Sequence, residues 1–426
     1  MNFESFLSAG GREDILYKTE RLDHYLAGDA DGQECRSGGN ASEQALGVQL
    51  LGATGAHADI LDRDGERRRV IMLGSNSYLD LTRHPLVADA ARDALERYGY
   101  GMGAVSLYAG MSDLHRTLER AVAGFYGAED AVLFPSGYGA NVGIISALCG
   151  EGDVIVNDSA NHASIFDGSR LSGAEVKIYP HGNMKRLEQI LRRIPPECKG
   201  RLIITDGVFS MHGDLAPLDV ITDLAAQYGA RVMVDDAHGL GIVGPGGRGT
   251  AAAFGVEGRI DLHVGMLSKA PGGLGGYCAA SGPVARYLRL YARTYFFSTA
   301  LPAPAVAGLI EVFRLLDADS AGRECLWENI RYMHRGISAL GFETVPAASG
   351  IIPIIVRNED RLAAFHRALL DRGVYTNIVT YPAVRRKECR LRLCIMASME
   401  KADMDAALGI LETAGKQCGV LAPCDA

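Results

Sequence analysis

The sequence predicts an α/β protein, with a large domain built on a mostly parallel sheet covered by helices and a smaller α+β domain at the C-terminal end. Three observations lead there. Short apolar runs recur between residues 131 and 267, with helical stretches between them. Charged and glycine-rich residues gather where those runs end. After about residue 300 the alternation stops, and a long helical region is followed by two apolar runs and a last amphipathic helix. Strands alternating with helices make a parallel sheet buried on both faces, so each strand reads as a continuous apolar run.

The elements follow in chain order. Residues 1–70 read as a helical start and a linker, since "AGDADGQECRSGGNAS" (27–42) is rich in Gly, Asp and Ser. "RDGERRRV" (63–70) reads as a solvated hairpin edge. Residues 71–300 form the large domain. Its strands are "AVLF" (131–134), "DVIVN" (153–157), "EVKIY" (175–179), "RLIITD" (201–206), "RVMVDD" (231–236) and "DLHVGML" (261–267). Helices are expected over 139–149, 184–193 and 217–228. Residues 301–426 form the small domain, with "GIIPIIV", "LRLCIM" and a helix near 402–414.

Composition narrows the function. The chain has 426 residues, 48% of them hydrophobic, and a net charge of -8, which argues against a nucleic-acid binder. No run reaches the roughly 18 apolar residues needed to span a bilayer. The first residues lack the pattern of a signal peptide. Nine cysteines are dispersed without a C-x-x-C pair. That set suits reduced thiols in a cytoplasm better than disulfides or zinc.

In a parallel sheet, ligands collect at the carboxyl ends of the strands. Five expected strand ends carry reactive or glycine-rich groups: Ser136 to Tyr138, Asp158 to His162, Asp206 to Ser210, Asp235 to His238, and Lys269. One lysine in a loop is ordinarily a surface charge. Partly desolvated, its pKa falls and it can form a Schiff base with an aldehyde. Asp235, at the end of an apolar strand, suits either a helix cap or a partner for a protonated ring nitrogen. "PSGYGAN" is a strand-to-helix turn whose exposed amides favour a phosphate. "GYGMGA" and "GPGGRG" approach G-x-G-x-x-G, but neither follows a strand and opens a helix, so both read as loops.

The motifs "SNSYLDLTRHP", "SGYGAN", "NHASIFDGSRLSGA", "TDGVFSMHGDLAPL", "VDDAHGLGIVGPGGRG", "SKAPGGLGGYCA", "FFSTALP" and "RLRL" occur in this order. Together they resemble the α-oxoamine synthase family of pyridoxal-phosphate enzymes, fold type I, from about Met72 to Glu412. The resemblance implies an acyltransferase that condenses glycine, alanine or serine with an acyl thioester of coenzyme A or a carrier protein. Loss of carbon dioxide, or reprotonation in ligase-like members, then gives an α-amino ketone. It implies Lys269 as the Schiff-base lysine, Asp235 on the pyridine nitrogen and His162 stacked on the ring. Gly137 and Tyr138 match the phosphate turn, and Ser210 and His238 match groups near the ring oxygen. Ser298 and Thr299 match a segment that reaches the neighbouring subunit's cofactor, which implies a homodimer. Arg392 matches the arginine that grips the amino-acid carboxylate, with Arg390 second. Asn76 and Ser106 fall in segments expected near the substrate.

Three positions depart from the family pattern. Met266 stands where a threonine usually offers its hydroxyl to the phosphate, so weaker cofactor retention is expected, with Ser268 a partial substitute. Ser106 replaces an arginine, and Met399 replaces a histidine. These changes point to an altered substrate pocket within the same reaction class. Two other readings compete: another fold type I enzyme, such as an aldolase or aminotransferase, and a non-catalytic subunit. Retention of Lys269, Asp235 and His162 argues against the last.

Overall fold

The computed structural model describes Thr19 and residues 48–421 apart from 319 and 382. The expected linker at 27–42 lies outside the described residues. At the centre is a seven-stranded sheet formed by β4 (Asp130–Phe134), β5 (Asp153–Asp158), β6 (Glu175–Tyr179), β7 (Gly200–Asp206), β8 (Arg231–Asp235), β9 (Leu262–Met266) and β10 (Gly276–Ala280). Their order across the sheet is β4-β10-β9-β8-β7-β5-β6. β10 runs antiparallel to both its neighbours, and the remaining pairs are parallel. Each strand of the middle is apolar and buried nearly end to end, as in β8, where only Arg231 is exposed.

Helices cover both faces because neither face of such strands can meet water. One face packs against Gly137–Leu148, which supplies Ile144 and Ile145. The other packs against Leu218–Tyr228, which supplies Leu218 and Ile221. The expected helices at 139–149, 184–193 and 217–228 appear as Gly137–Leu148, Met184–Arg192 and Leu218–Tyr228. β10 is an addition to the expected strands. Its sequence, "GYCAA", has too few large apolar residues to stand out, yet all five of its residues are buried.

Two smaller sheets form the second layer. One joins β11 (Ile351–Ile355), β14 (Arg390–Cys394) and β13 (Asn377–Val379). The other has the order β1 (Gln49–Leu50), β2 (His57–Leu61), β3 (Arg67–Met72) and β12 (Val374–Tyr375). β3 pairs with β2 on one side and with β12 on the other, Ile71 facing Val374. The hairpin expected at 63–70 is present, but β3 is an inner strand and not an edge. Ile60 and Val70 share one apolar core with Ile352, Phe365, Leu391 and Leu411. Residues 57–70, expected to belong to an N-terminal segment, and 71–72, expected in the large domain, therefore pack with the C-terminal strands. The cause is the apolar half of β3, "VIM", which is fully buried and needs a partner.

Met399 is 3% exposed and belongs to that same core. Its carbonyl accepts from Asn329 Nδ2 at 3.0 Å. "GYGMGA" is a loop, and "GPGGRG" holds only a three-residue 3-10 turn, Pro245–Gly247.

Candidate active site

The carboxyl ends of β4, β5, β7, β8 and β9 lie along one side of the large sheet, and β14 approaches them from the small layer. Asp235 ends β8, and its position is set by two donors. Asn141 Nδ2, from the first helix after β4, reaches Asp235 Oδ2 at 2.6 Å, and the Ala237 amide reaches Oδ1 at 3.1 Å. Asn141 also donates to Ser164 Oγ at 2.9 Å. Ser164 in turn lies 2.7 Å from His162 Nδ1, which also accepts from the Ser164 amide at 3.3 Å. With Nδ1 accepting, the ring proton sits on Nε2. Burial lowers the His162 pKa, and the nearby Asp235 opposes that shift only in part, so the ring is neutral.

Lys269 follows β9 after a short turn. Burial brings its pKa down to about 8 even though Asp235 pulls the other way. Its Nζ lies 2.7 Å from His238 Nε2. His238 Nδ1 lies 2.8 Å from the Tyr78 hydroxyl, which donates to Asn76 Oδ1 at 3.3 Å. The donors can then run one way: Lys269 to His238, His238 to Tyr78, Tyr78 to Asn76. Burial drives His238 well below the usual histidine range and Tyr78 well above the usual tyrosine range. Both are neutral, so the single mobile charge of this chain of contacts is the lysine's.

Asn76 closes the row. Arg392 Nη2 donates to its Oδ1 at 3.0 Å, while Arg392 Nε donates to the Ser210 carbonyl at 2.6 Å. Arg392 is only 6% exposed. Among the described residues it has no carboxylate partner; the groups around it are Cys394, Tyr78, Asn76 and the Ser210 carbonyl. A buried guanidinium without a counter-ion is costly unless an anion joins it. Arg390, two residues earlier on the same face of β14, donates to the carbonyls of Glu388 and Met211 and stays outside this row.

The turn after β4 can take a second anion. Ser136 caps the helix, its Oγ accepting from the Gly139 amide at 2.9 Å. Among the described residues, the Gly137 and Tyr138 amides at the same helix start have no protein acceptor. Gly137 is in close contact with two neighbours. A Cβ on Gly276 would lie 2.7 Å from its Cα, and a Cβ on Gly137 would overlap Met266 Cγ and Cε. Met266 therefore covers this turn with carbon and sulfur. Ser268, the expected substitute donor, is exposed.

Not every expected residue joins the row. Tyr138 is 44% exposed and bonds Asp167 through its hydroxyl, with His162 edge-on at 6.4 Å. Ser210 contributes its carbonyl to the row. Ser106, Ser298 and Thr299 lie together in a separate patch, where Ser106 bonds Tyr295 and Thr299 bridges to Val105. Sequence reasoning missed Tyr78, Asn141 and Cys394 as neighbours of Lys269, Asp235 and Arg392. Tyr78 and Asn141 stand inside the quoted motifs "SNSYLDL" and "SGYGAN", so the signal was there without a role attached.

A pyridine ring with an aldehyde and a phosphate fits these groups: an amine of low pKa, a fixed buried carboxylate and free amides at a helix start. Comparisons with known proteins point the same way. The family model described as Aminotransferase class I and II matches residues 68–411. The 8-amino-7-oxononanoate synthase of Thermoanaerobacter pseudethanolicus is 43% identical over 354 residues, covering 83% of this chain and 90% of that protein. The 4-hydroxy-2,2'-bipyrrole-5-methanol synthase of Serratia sp. is 41% identical over 356 residues, covering 84% of this chain and 54% of that protein. The solved serine palmitoyltransferase of Sphingomonas wittichii has a TM-score of 0.87 at 33% identity and covers 96% of this chain and 100% of its own.

Proposed function

The chain belongs to the aminotransferase class I and II family, in its α-oxoamine synthase branch, and on that premise we propose that the row from Lys269 to Arg392 joins a small α-amino acid to an acyl thioester. The enzyme is a pyridoxal-phosphate-dependent acyltransferase. The amino acid and the thioester are converted to an α-amino ketone, carbon dioxide and the free thiol.

When bound, pyridoxal phosphate supplies an electron sink for the charge left at the amino acid's α-carbon. Lys269 would hold its aldehyde carbon, Asp235 its ring nitrogen, His162 its ring face, and the Gly137 and Tyr138 amides its phosphate. Arg392 binds the amino-acid carboxylate, with Asn76 orienting the guanidinium. Lys269 Nζ, once released, takes the α-proton, and its low pKa gives a useful fraction of neutral amine near pH 7. His238 holds that amine in place through Nε2.

The observation that carries the reading is the buried Arg392 without a carboxylate, placed two side chains from His238. The test is α-proton exchange in heavy water by the cofactor-loaded enzyme with glycine, alanine and serine in turn, followed by NMR. Exchange of one amino acid, absent in Lys269→Ala, is expected and identifies the substrate. Bound cofactor with no exchange, either alone or with acyl-thioesters added, overturns the proposal.

The homodimer belongs to the same reading. Tyr100, Tyr108 and Phe297 are 89%, 77% and 67% exposed. Tyr108 and Phe297 lie beside Phe296, in the segments that carry Ser106, Ser298 and Thr299, an apolar surface that a second copy would cover. A cytoplasmic setting is supported by the seven described cysteines, all of them free. No described helix is long and apolar enough to cross a membrane.

A further inference from the structure

Arg392 is held by a carbonyl, and that carbonyl belongs to a turn with its own anchor. The turn runs from Gly207 to Ala216. It is closed by Phe209 N to Asp214 O at 3.0 Å, Gly213 N to Phe209 O at 2.7 Å and Ala216 N to Gly207 O at 2.9 Å. On one side its carbonyls face the small layer, where Ser210 accepts from Arg392, Met211 from Arg390 and Gly213 from Ser349 Oγ. On the other side stands His181, in the loop after β6. His181 Nε2 lies 3.0 Å from Asp214 Oδ2, and Nδ1 lies 3.1 Å from Asp158 Oδ1. Asp158 ends β5 and is itself fixed by the amides of Ala160 and Gly182.

We propose that His181, bridging Asp158 and Asp214, is a positioning residue that fixes the Ser210 carbonyl and so sets Arg392 for the substrate carboxylate. It does not touch the reacting atoms, and the inference rests on the reading of Arg392 given above. Several features support it. His181 has a carboxylate on each nitrogen, and those bonds raise its pKa to about 10 against the effect of burial, so the bridge is an ion triad at neutral pH. The Phe209 ring meets it edge-on at 4.3 Å, which limits its rotation. His212 lies beside it, with ring centroids 4.7 Å apart. His181, His212 and Asp214 also place three ligand-type atoms within 4.8 Å of one another. A metal ion there would have to displace the Nε2 proton that already joins His181 to Asp214.

The turn has firm contacts to the small layer, but those contacts include Arg392 itself and cannot orient it independently. The reference independent of Arg392 is the large sheet, which the turn reaches at its start, where Gly207 follows β7 and donates to the Asp235 carbonyl at 2.8 Å, and at its far side through His181 and Asp158. Without that bridge the Gly207 end stays tied to the sheet, while the stretch from Ser210 to Asp214 is left to its contacts with the small layer and shifts with Arg392 relative to Lys269.

The test compares ligands with and without a carboxylate. Cofactor-loaded wild type, His181→Gln and Asp214→Asn are titrated with alanine and with ethylamine, following cofactor absorbance. Circular dichroism and melting confirm that each variant is folded. Alanine affinity is expected to fall at least about tenfold in both variants, with ethylamine affinity within about twofold of wild type. Equal losses for both ligands, or no loss for alanine in either variant, overturn the proposal. Arg392→Ala separates this outcome from failure of the underlying reading. If that variant keeps the wild-type preference for alanine over ethylamine, Arg392 does not hold the carboxylate and the reading itself fails.

Discussion

Replacing Met266 tests how this chain holds a phosphate. Met266 ends β9 opposite Gly276 and lies against Gly137 at the start of the helix after β4. Its thioether offers no hydrogen to an anion, so the turn must hold a phosphate with amides alone on that side. Met266→Thr places a hydroxyl at the same strand end. A hydrogen bond to a charged group contributes about 1.5–3 kcal/mol, which is roughly a tenfold to hundredfold gain in affinity. The packing lost with the half-buried Met266 side chain costs about 1–2 kcal/mol of cofactor-free stability, the low end of the range for large-to-small changes. Met266→Val is the control, since it has the shape of threonine without the donor. The assay is equilibrium dialysis of the cofactor-free variants against pyridoxal phosphate, with melting of the same samples. Threonine should bind the cofactor at least about tenfold more tightly than valine, and both should melt below wild type. Equal affinity for the threonine and valine variants would refute the idea that a donor is missing here.

Two further outcomes follow from the same row of residues. Capture of pyridoxal phosphate by the cofactor-free enzyme needs a neutral amine on Lys269, so its rate should rise with pH and be half-maximal at about 8; a stopped-flow midpoint near the ordinary 10.5 would contradict the burial argument. Tyr78→Phe removes the hydroxyl 2.8 Å from His238 Nδ1 and should slow α-proton exchange about tenfold; an unchanged rate would show that His238 is oriented by something else.

The large sheet was legible because its strands are apolar throughout and are separated by amphipathic stretches, so the two periods do not blur. "DVIVN" and "RLIITD" could hardly be anything else. β10 was not legible because four of the five residues of "GYCAA" are small, and the tight approach that needs Gly276 is a property of its neighbours Gly137 and Ser136. The strand ends that carry Asp235 and Lys269 followed from the sheet. What joins them did not. Asn141 sits inside a helix four residues past Gly137, and nothing in the sequence shows that it turns toward Asp235, 94 residues away. Likewise, Arg392 could be picked from "RLRL" through the family likeness, but its distinction from Arg390 lies in which carbonyl each one reaches. Ser210 and Met211 are neighbours, so the two roles differ only in which of two adjacent carbonyls each guanidinium meets.

The parallel pairing of β3 with β12 also bears on how the chain is made. Ile71 meets Val374 across 303 positions, so the first described strands wait for nearly the whole polypeptide before their sheet can close. Chains grow at roughly 5–20 residues per second, which leaves "VIM" without its final neighbour for some fifteen seconds to a minute. During that interval the large sheet, whose strands all lie between these two segments, can already assemble. Vectorial synthesis thus places the site's two halves in sequence: the lysine side forms first, and the arginine side is added when the ends of the chain meet.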